Sequence, residues 1–109
     1  MSKIVWSKDA KNELADIIRY IKQNTGKSTA EKIKTRFFEE IHKIAEYPQI
    51  RRISPALSDF GINHIFQLNV KPWIVYYKLE IGIILILSII DGRRNLEEIL
   101  HEKIISGNM

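Results

Sequence analysis

Between Ile81 and Asn95 the chain reads IGIILILSIIDGRRN, an almost unbroken apolar run that stops at a turn and two arginines. The run is too short to cross a bilayer, which takes about 20 residues. It shows no polar alternation, so it does not suit a strand with one wet face and fits a strand covered on both faces. That requirement limits the fold, because something must pack against each side. Asp91-Gly92 supplies turn chemistry and leaves Arg93 and Arg94 at the end of a rigid element. Guanidiniums fixed in that way bind phosphates or carboxylates bidentately.

The length of 109 residues predicts one domain, residues 1–109, with a modest core. A hydrophobic fraction of 45% and a charged fraction of 28% are those of a soluble globular protein. No cysteine is present, which excludes disulfides and thiolate metal sites and fits a reducing compartment. The first residues, MSKIVWSKDAKNE, lack the apolar core of a signal peptide. The expected location is therefore the cytoplasm, with no membrane partner. The net charge of +4 favours an acidic partner, either nucleic acid or an acidic protein segment. His42 has no neighbour at ligand spacing, so no metal is expected, and no cofactor motif occurs. GxSxG, Walker A, GxGxxG and HExxH are all missing.

Lys3 to Trp6 is β-prone, and Ser7 is a good N-cap for a helix whose apolar face is Ala10, Leu14, Ile17, Ile18 and Ile21. Asn24-Thr25-Gly26 stops that helix. Ser28-Thr29-Ala30-Glu31 reads as a capping box opening a second helix, with Ala30, Ile33, Phe37, Ile41, Ile44 and Ala45 on one face and Pro48 past its end. So short a connection predicts an antiparallel helical hairpin. Residues 48 to 61 read as a loop. From Ile62 the period becomes two, with Ile62, His64, Phe66, Leu68 and Val70 on one face. A turn at Lys71-Pro72 leads to a strand from Trp73 to Leu79, and Glu80 to Gly82 turns the chain into the apolar strand. Asn95 caps a last helix carrying Leu96, Ile99, Leu100 and Ile104. The fold class is α+β, in the order β-α-α-β-β-β-α. An antiparallel sheet carries the two-helix hairpin on one face, with a short C-terminal helix. The hairpin covers one face only, so the C-terminal helix or a partner chain must cover the other.

This order is similar to that of the RelE/ParE superfamily of bacterial type II toxin–antitoxin toxins, on the ParE-like side. The resemblance rests on Ile4-Val5-Trp6-Ser7 with Ala10 and Leu14, on Ile17, Ile18, Tyr20 and Ile21, and on Ala30, Ile33, Ile41, Ile44 and Pro48. It closes with WIVYYKLEIGIILILSIIDGRR, a strand ending in tyrosine, an apolar strand and a Gly-Arg-Arg signature. It implies a toxin that arrests growth, of the kind found in plasmid stabilisation. It also implies a small cognate antitoxin, ParD- or RelB-like, that wraps and neutralises it. Two activities are open. ParE-like members are reported to bind and inhibit DNA gyrase, and RelE-like members cut mRNA in the ribosomal A site.

Cleavage of RNA needs cations around the phosphate, a group to activate the 2′-hydroxyl and an acid for the leaving oxygen. Where RelE-like enzymes place arginines and a tyrosine, this chain has Asn63, Ile74 and Leu100, and of that set Arg94 alone survives. His64 and His101 are the replacement acid–base candidates for an RNase built on Arg94. The plain reading of His64 is a residue packed on the Phe66/Leu68 face, and that of His101 is a solvated helix residue. Tyr76 and Tyr77 alternate, so one is expected in the core and the other outside. Arg93 and Arg94 are the leading target- or antitoxin-binding residues, against a structural alternative of ion pairs to Glu97 or Glu98. Arg51, Arg52, Lys71 and Lys78 extend the basic surface or are simply solvated. The leading expectation is a gyrase-binding toxin that is not an enzyme. A ribosome-dependent endonuclease and an inactive homologue that only binds antitoxin stand as alternatives.

Overall fold

The structure, a computed structural model, describes residues 2–109. Its elements are Lys3–Trp6 (β1), Lys8–Thr25 (α1), Lys27–Glu46 (α2), Pro55–Ser58 (α3), Ile65–Val70 (β2), Trp73–Glu80 (β3), Ile83–Asp91 (β4) and Leu96–Ile105 (α4), with a 3-10 turn at Pro48–Ile50. The sheet order is β1-β4-β3-β2, so the apolar run is an inner strand, as its composition demands. β2, β3 and β4 form the expected antiparallel meander. β1 lies parallel to β4, from Lys3 opposite Ile83 to Trp6 opposite Ile86, which makes the sheet mixed instead of wholly antiparallel. The other edge of β4 is occupied by β3. Ser7 fixes the direction of β1, its N–H donating to the Ile86 carbonyl at 2.9 Å and its hydroxyl to the Leu87 carbonyl at 2.8 Å. The same hydroxyl accepts from the N–H of Ala10 and caps α1.

Both faces of β4 are covered from within the chain. The hairpin of α1 and α2 seals one face with Phe37, Ile41 and Ile44 against Val75, Tyr77, Ile84 and Ile86. On the other face Leu57 of α3 and Leu100 of α4 pack with Ile65, Tyr76, Leu87 and Ile90. Segment 48–61 is therefore more than a loop, since it contributes a turn of helix capped by Ser54 and begun by Pro55.

Several local expectations change. The strand expected from Ile62 begins at Ile65, so His64 lies outside it and exposed instead of packing beside Phe66. No capping box forms at Ser28, because α2 already starts at Lys27. The chain reverses through Gly26 alone, at φ 111°, a backbone angle open to glycine and strained for other residues. Tyr76 and Tyr77 are both buried, on opposite faces of the sheet, where one was expected outside. Two apolar layers leave neither tyrosine a wet side.

One irregularity has a role in positioning the site. The β3–β4 register slips so that Tyr76 faces Ser88 and Tyr77 faces Ile86, with Leu87 as the extra residue. β1 reaches only to Trp6 opposite Ile86, and beyond its end the N–H of Ile89 meets a side chain. Glu13 of α1 accepts it at 3.1 Å and also accepts the Ser88 hydroxyl at 2.8 Å. Lys103 of α4 pairs with the same carboxylate at 3.2 Å and with Asp9 at 3.3 Å. These bonds tie α1, β4 and α4 together beside the C-terminal end of β4.

Candidate functional site

At that end of β4 a groove of about 380 Å³ opens between α1, the strand and α4. Its floor is apolar: Ile17, Ile21, Ile89, Ile90 and Ile99. Tyr20, 67% exposed, stands on the α1 side, and Trp73 on the β3 side is held against Phe37 at 5.4 Å. Arg93 and Arg94 form the open end.

The turn that presents them is built by short-range bonds. Gly92 donates to the Pro72 carbonyl at 2.8 Å, and a Cβ at this position would sit 3.0 Å from that oxygen, so a side chain here would have to push the turn open by a few tenths of an ångström. Pro72 itself follows a cis peptide bond. The Asp91 carboxylate accepts the Arg93 N–H at 2.9 Å, its Nε–H at 3.0 Å and its terminal N–H at 2.7 Å. These bonds to Arg93 hold the Asp91 carboxyl down at about 2 and raise the guanidinium of Arg93. The structural partner of Arg93 is thus Asp91, two residues back, and neither Glu97 nor Glu98. Arg94 is exposed and makes no ion pair among the described residues.

The other acids of the groove are engaged as well. Asp16 pairs with Arg19 at 2.9 Å, and Glu13 serves the bulge and Lys103. The groove therefore combines an apolar floor, two aromatic walls and one unpaired cation. Such a surface takes an anionic group flanked by apolar ones.

The sequence-selected residues divide. Lys71 lines a shallow groove with Arg93 around Pro72 and Gly92, so Lys71, Arg93 and Arg94 share one end of the sheet. Arg51 lies over the ring of Phe66 at 5.6 Å, and Arg52 accepts the Gln67 N–H through its carbonyl. Lys78 sits opposite Ile65 and Leu85, toward the far end of β3. None of these three lines the Arg94 groove. Nor does either histidine: His64 precedes β2, and His101 stacks on Phe60 at 5.9 Å. Asn63, Ile74 and Leu100, the positions where RNase groups were sought, are respectively exposed, half-buried and buried. Glu13, Tyr20 and Trp73 were missed as contributors to the groove. The signal for Glu13 was present in its spacing four residues after Asp9, which puts both acids on one flank of α1. Among the described residues no three His, Cys, Asp or Glu side chains cluster to hold a metal ion.

The model of the family described as the ParE toxin of type II toxin-antitoxin system, parDE, matches residues 4–96. Toxin ParE3 of Caulobacter vibrioides is 28% identical over 107 residues, which cover 94% of this chain and 99% of that protein. A solved structure titled as the chromosomal ParDE TA system from P. aeruginosa superposes with a TM-score of 0.66 at 18% identity, covering 82% of this chain and 94% of that one. That likeness is one of fold. The family match spans every element up to the first residue of α4, including Arg93 and Arg94.

Proposed function

The chain belongs to the ParE toxin family of type II toxin–antitoxin systems, and from that premise we propose that it binds and inhibits DNA gyrase in the cytoplasm and is neutralised by a small cognate antitoxin. The observation that carries the reading is the isolation of Arg94. It is an unpaired guanidinium beside an apolar groove, whose other lining cation, Arg93, and lining carboxylates, Glu13, Asp16 and Asp91, are all engaged in ion pairs. Such a site binds an acidic, partly apolar surface, whereas phosphodiester cleavage needs groups that move protons at the scissile bond.

A supercoiling assay with purified gyrase tests this. Micromolar toxin is expected to suppress supercoiling, and Arg94→Ala to weaken the effect by at least about tenfold. Arg93→Ala should weaken it less, because that guanidinium is already committed to Asp91. Unimpaired supercoiling at micromolar excess would sink the proposal. Cleavage of mRNA in the ribosomal A site that vanishes in Arg94→Ala would replace it with the endonuclease reading.

A further inference from the structure

The Pro72 turn gathers positive charge from three parts of the chain. Lys71, between β2 and β3, and Arg93, after β4, line the shallow groove of about 630 Å³ over Pro72 and Trp73. Arg36 of α2 reaches the same turn, its terminal N–H donating to the Lys71 carbonyl at 2.9 Å. A carbonyl accepts such a bond without cancelling the charge, so the guanidinium is fixed in place and stays fully cationic. Lys32 stands one turn earlier on the same flank of α2. Lys32, Arg36 and Lys71 are exposed and form no ion pair among the described residues. Arg93, though bonded to Asp91, keeps 75% of its side chain exposed. No carboxylate lines the groove. Of the acids one turn along α2, Glu39 lies on the Phe38 side and Glu40 pairs with Lys43.

We propose that this end of the sheet lies against the phosphate backbone of a DNA duplex, with Arg36, Lys71 and Arg93 each on a phosphate and Lys32 extending the track. The backbone presents negative charge alone, at repeated intervals, and each phosphate is met by one lysine or arginine. A folded protein surface of mixed sign would instead set some of its own cations against a rim that has no free acid to meet them. The shallow, open form of the groove suits a rod that lies across it, where a small ligand would need enclosing walls. The choice of DNA over RNA rests on the gyrase reading, because the substrate of that enzyme is DNA. Trp73 and Arg93 line both this groove and that of Arg94, so the two surfaces adjoin. A protein and the DNA it holds can then be touched together.

The test uses the toxin alone, titrated into a short fluorescein-labelled DNA duplex of arbitrary sequence with no gyrase present. Anisotropy should rise saturably, and added salt should weaken binding with a logarithmic slope of about −3, since each phosphate contact contributes about −0.9. Arg36→Glu with Lys71→Glu should weaken binding at least about tenfold with the circular dichroism spectrum retained. Lys11→Glu with Lys22→Glu makes the same change of charge on the far flank of α1 and should cost less than about twofold. Equal losses from the two pairs would reduce the effect to net charge and overturn the proposal. No saturable rise, or a slope near zero in the parent protein, would overturn it as well. Tighter binding of an RNA duplex of the same sequence would assign the surface to RNA, and full displacement by polyglutamate of equal charge would assign it to an acidic protein. Either result overturns the DNA contact. A toxin that holds the duplex but leaves supercoiling unimpaired would discard the gyrase reading and keep this surface, and an inhibitor of gyrase that fails to hold the duplex would do the reverse.

Discussion

Asp91 sets the two neighbouring arginines apart. By taking the side chain and N–H of Arg93 it leaves Arg94 as the cation available to a partner. Its carboxyl is held at about 2, below the ordinary 3.8, chiefly by the side-chain hydrogen bonds from Arg93. A depressed carboxylate stabilises the folded state above its unfolded value, and that contribution is lost as the pH falls from about 4 toward about 2. In a carboxyl-carbon NMR titration the midpoint of Asp91 should fall near 2, and Arg93→Gln should return it toward the ordinary value. A parent midpoint near 3.8 would mean that the pair does not hold in solution. The sequence located Arg93 and Arg94 at a turn after a strand. It pointed to Glu97 and Glu98 as partners because helical spacing is periodic and visible in a string. The backward reach of Asp91 over its own turn is a matter of rotamer and leaves no period.

At the scale of elements, periodicity made α1, α2, β3 and β4 legible, and adjacency made the hairpin and the meander legible. What stayed hidden was the bulge at Leu87-Ser88, because one extra residue in an apolar run alters no pattern that composition can register. The main work of Glu13 is out of sight in the string for the same reason, because it accepts the Ser88 hydroxyl and the Ile89 N–H. Glu13→Ala would leave both donors unpaired in a largely buried setting and Lys103 with Asp9 alone. Its cost should be about 2–4 kcal/mol, read from denaturant unfolding. Glu13→Gln, which keeps an acceptor, should recover part of that loss. A change below about 0.5 kcal/mol in the alanine variant would show that water replaces the carboxylate without penalty.

For the whole molecule, the demand that the apolar strand be covered on both faces was met from inside the chain, and it buried both Tyr76 and Tyr77. Neither hydroxyl makes a hydrogen bond of good geometry among the described residues, and burial pushes each phenol up to about 12 from 10.0, with the nearby Ser54 side chain offsetting a little of the rise at Tyr76. The unfolded chain releases these protons near pH 10 and the folded chain keeps them to about 12. Stability is therefore full below pH 10 and falls as the pH rises toward 12. Denaturation at about pH 9 and about pH 11 should display the decline. Tyr76→Phe with Tyr77→Phe should flatten it and add about 1 kcal/mol at neutral pH, since each removes an unpaired buried hydroxyl. A double variant less stable than the parent would mean that the hydroxyls are satisfied after all. The parallel seat of β1 beside β4 also bears on how the molecule assembles. β3 and β4 meet across a tight turn, so their pairing closes a short loop, whereas Lys3 reaches Ile83 only after nearly the whole chain has been drawn in. The meander can form early, and the first strand of the chain is among the last to dock. In reverse, fraying at β1 bares one edge of the central strand while the rest of the sheet persists, which makes that short strand the natural point from which the fold comes apart.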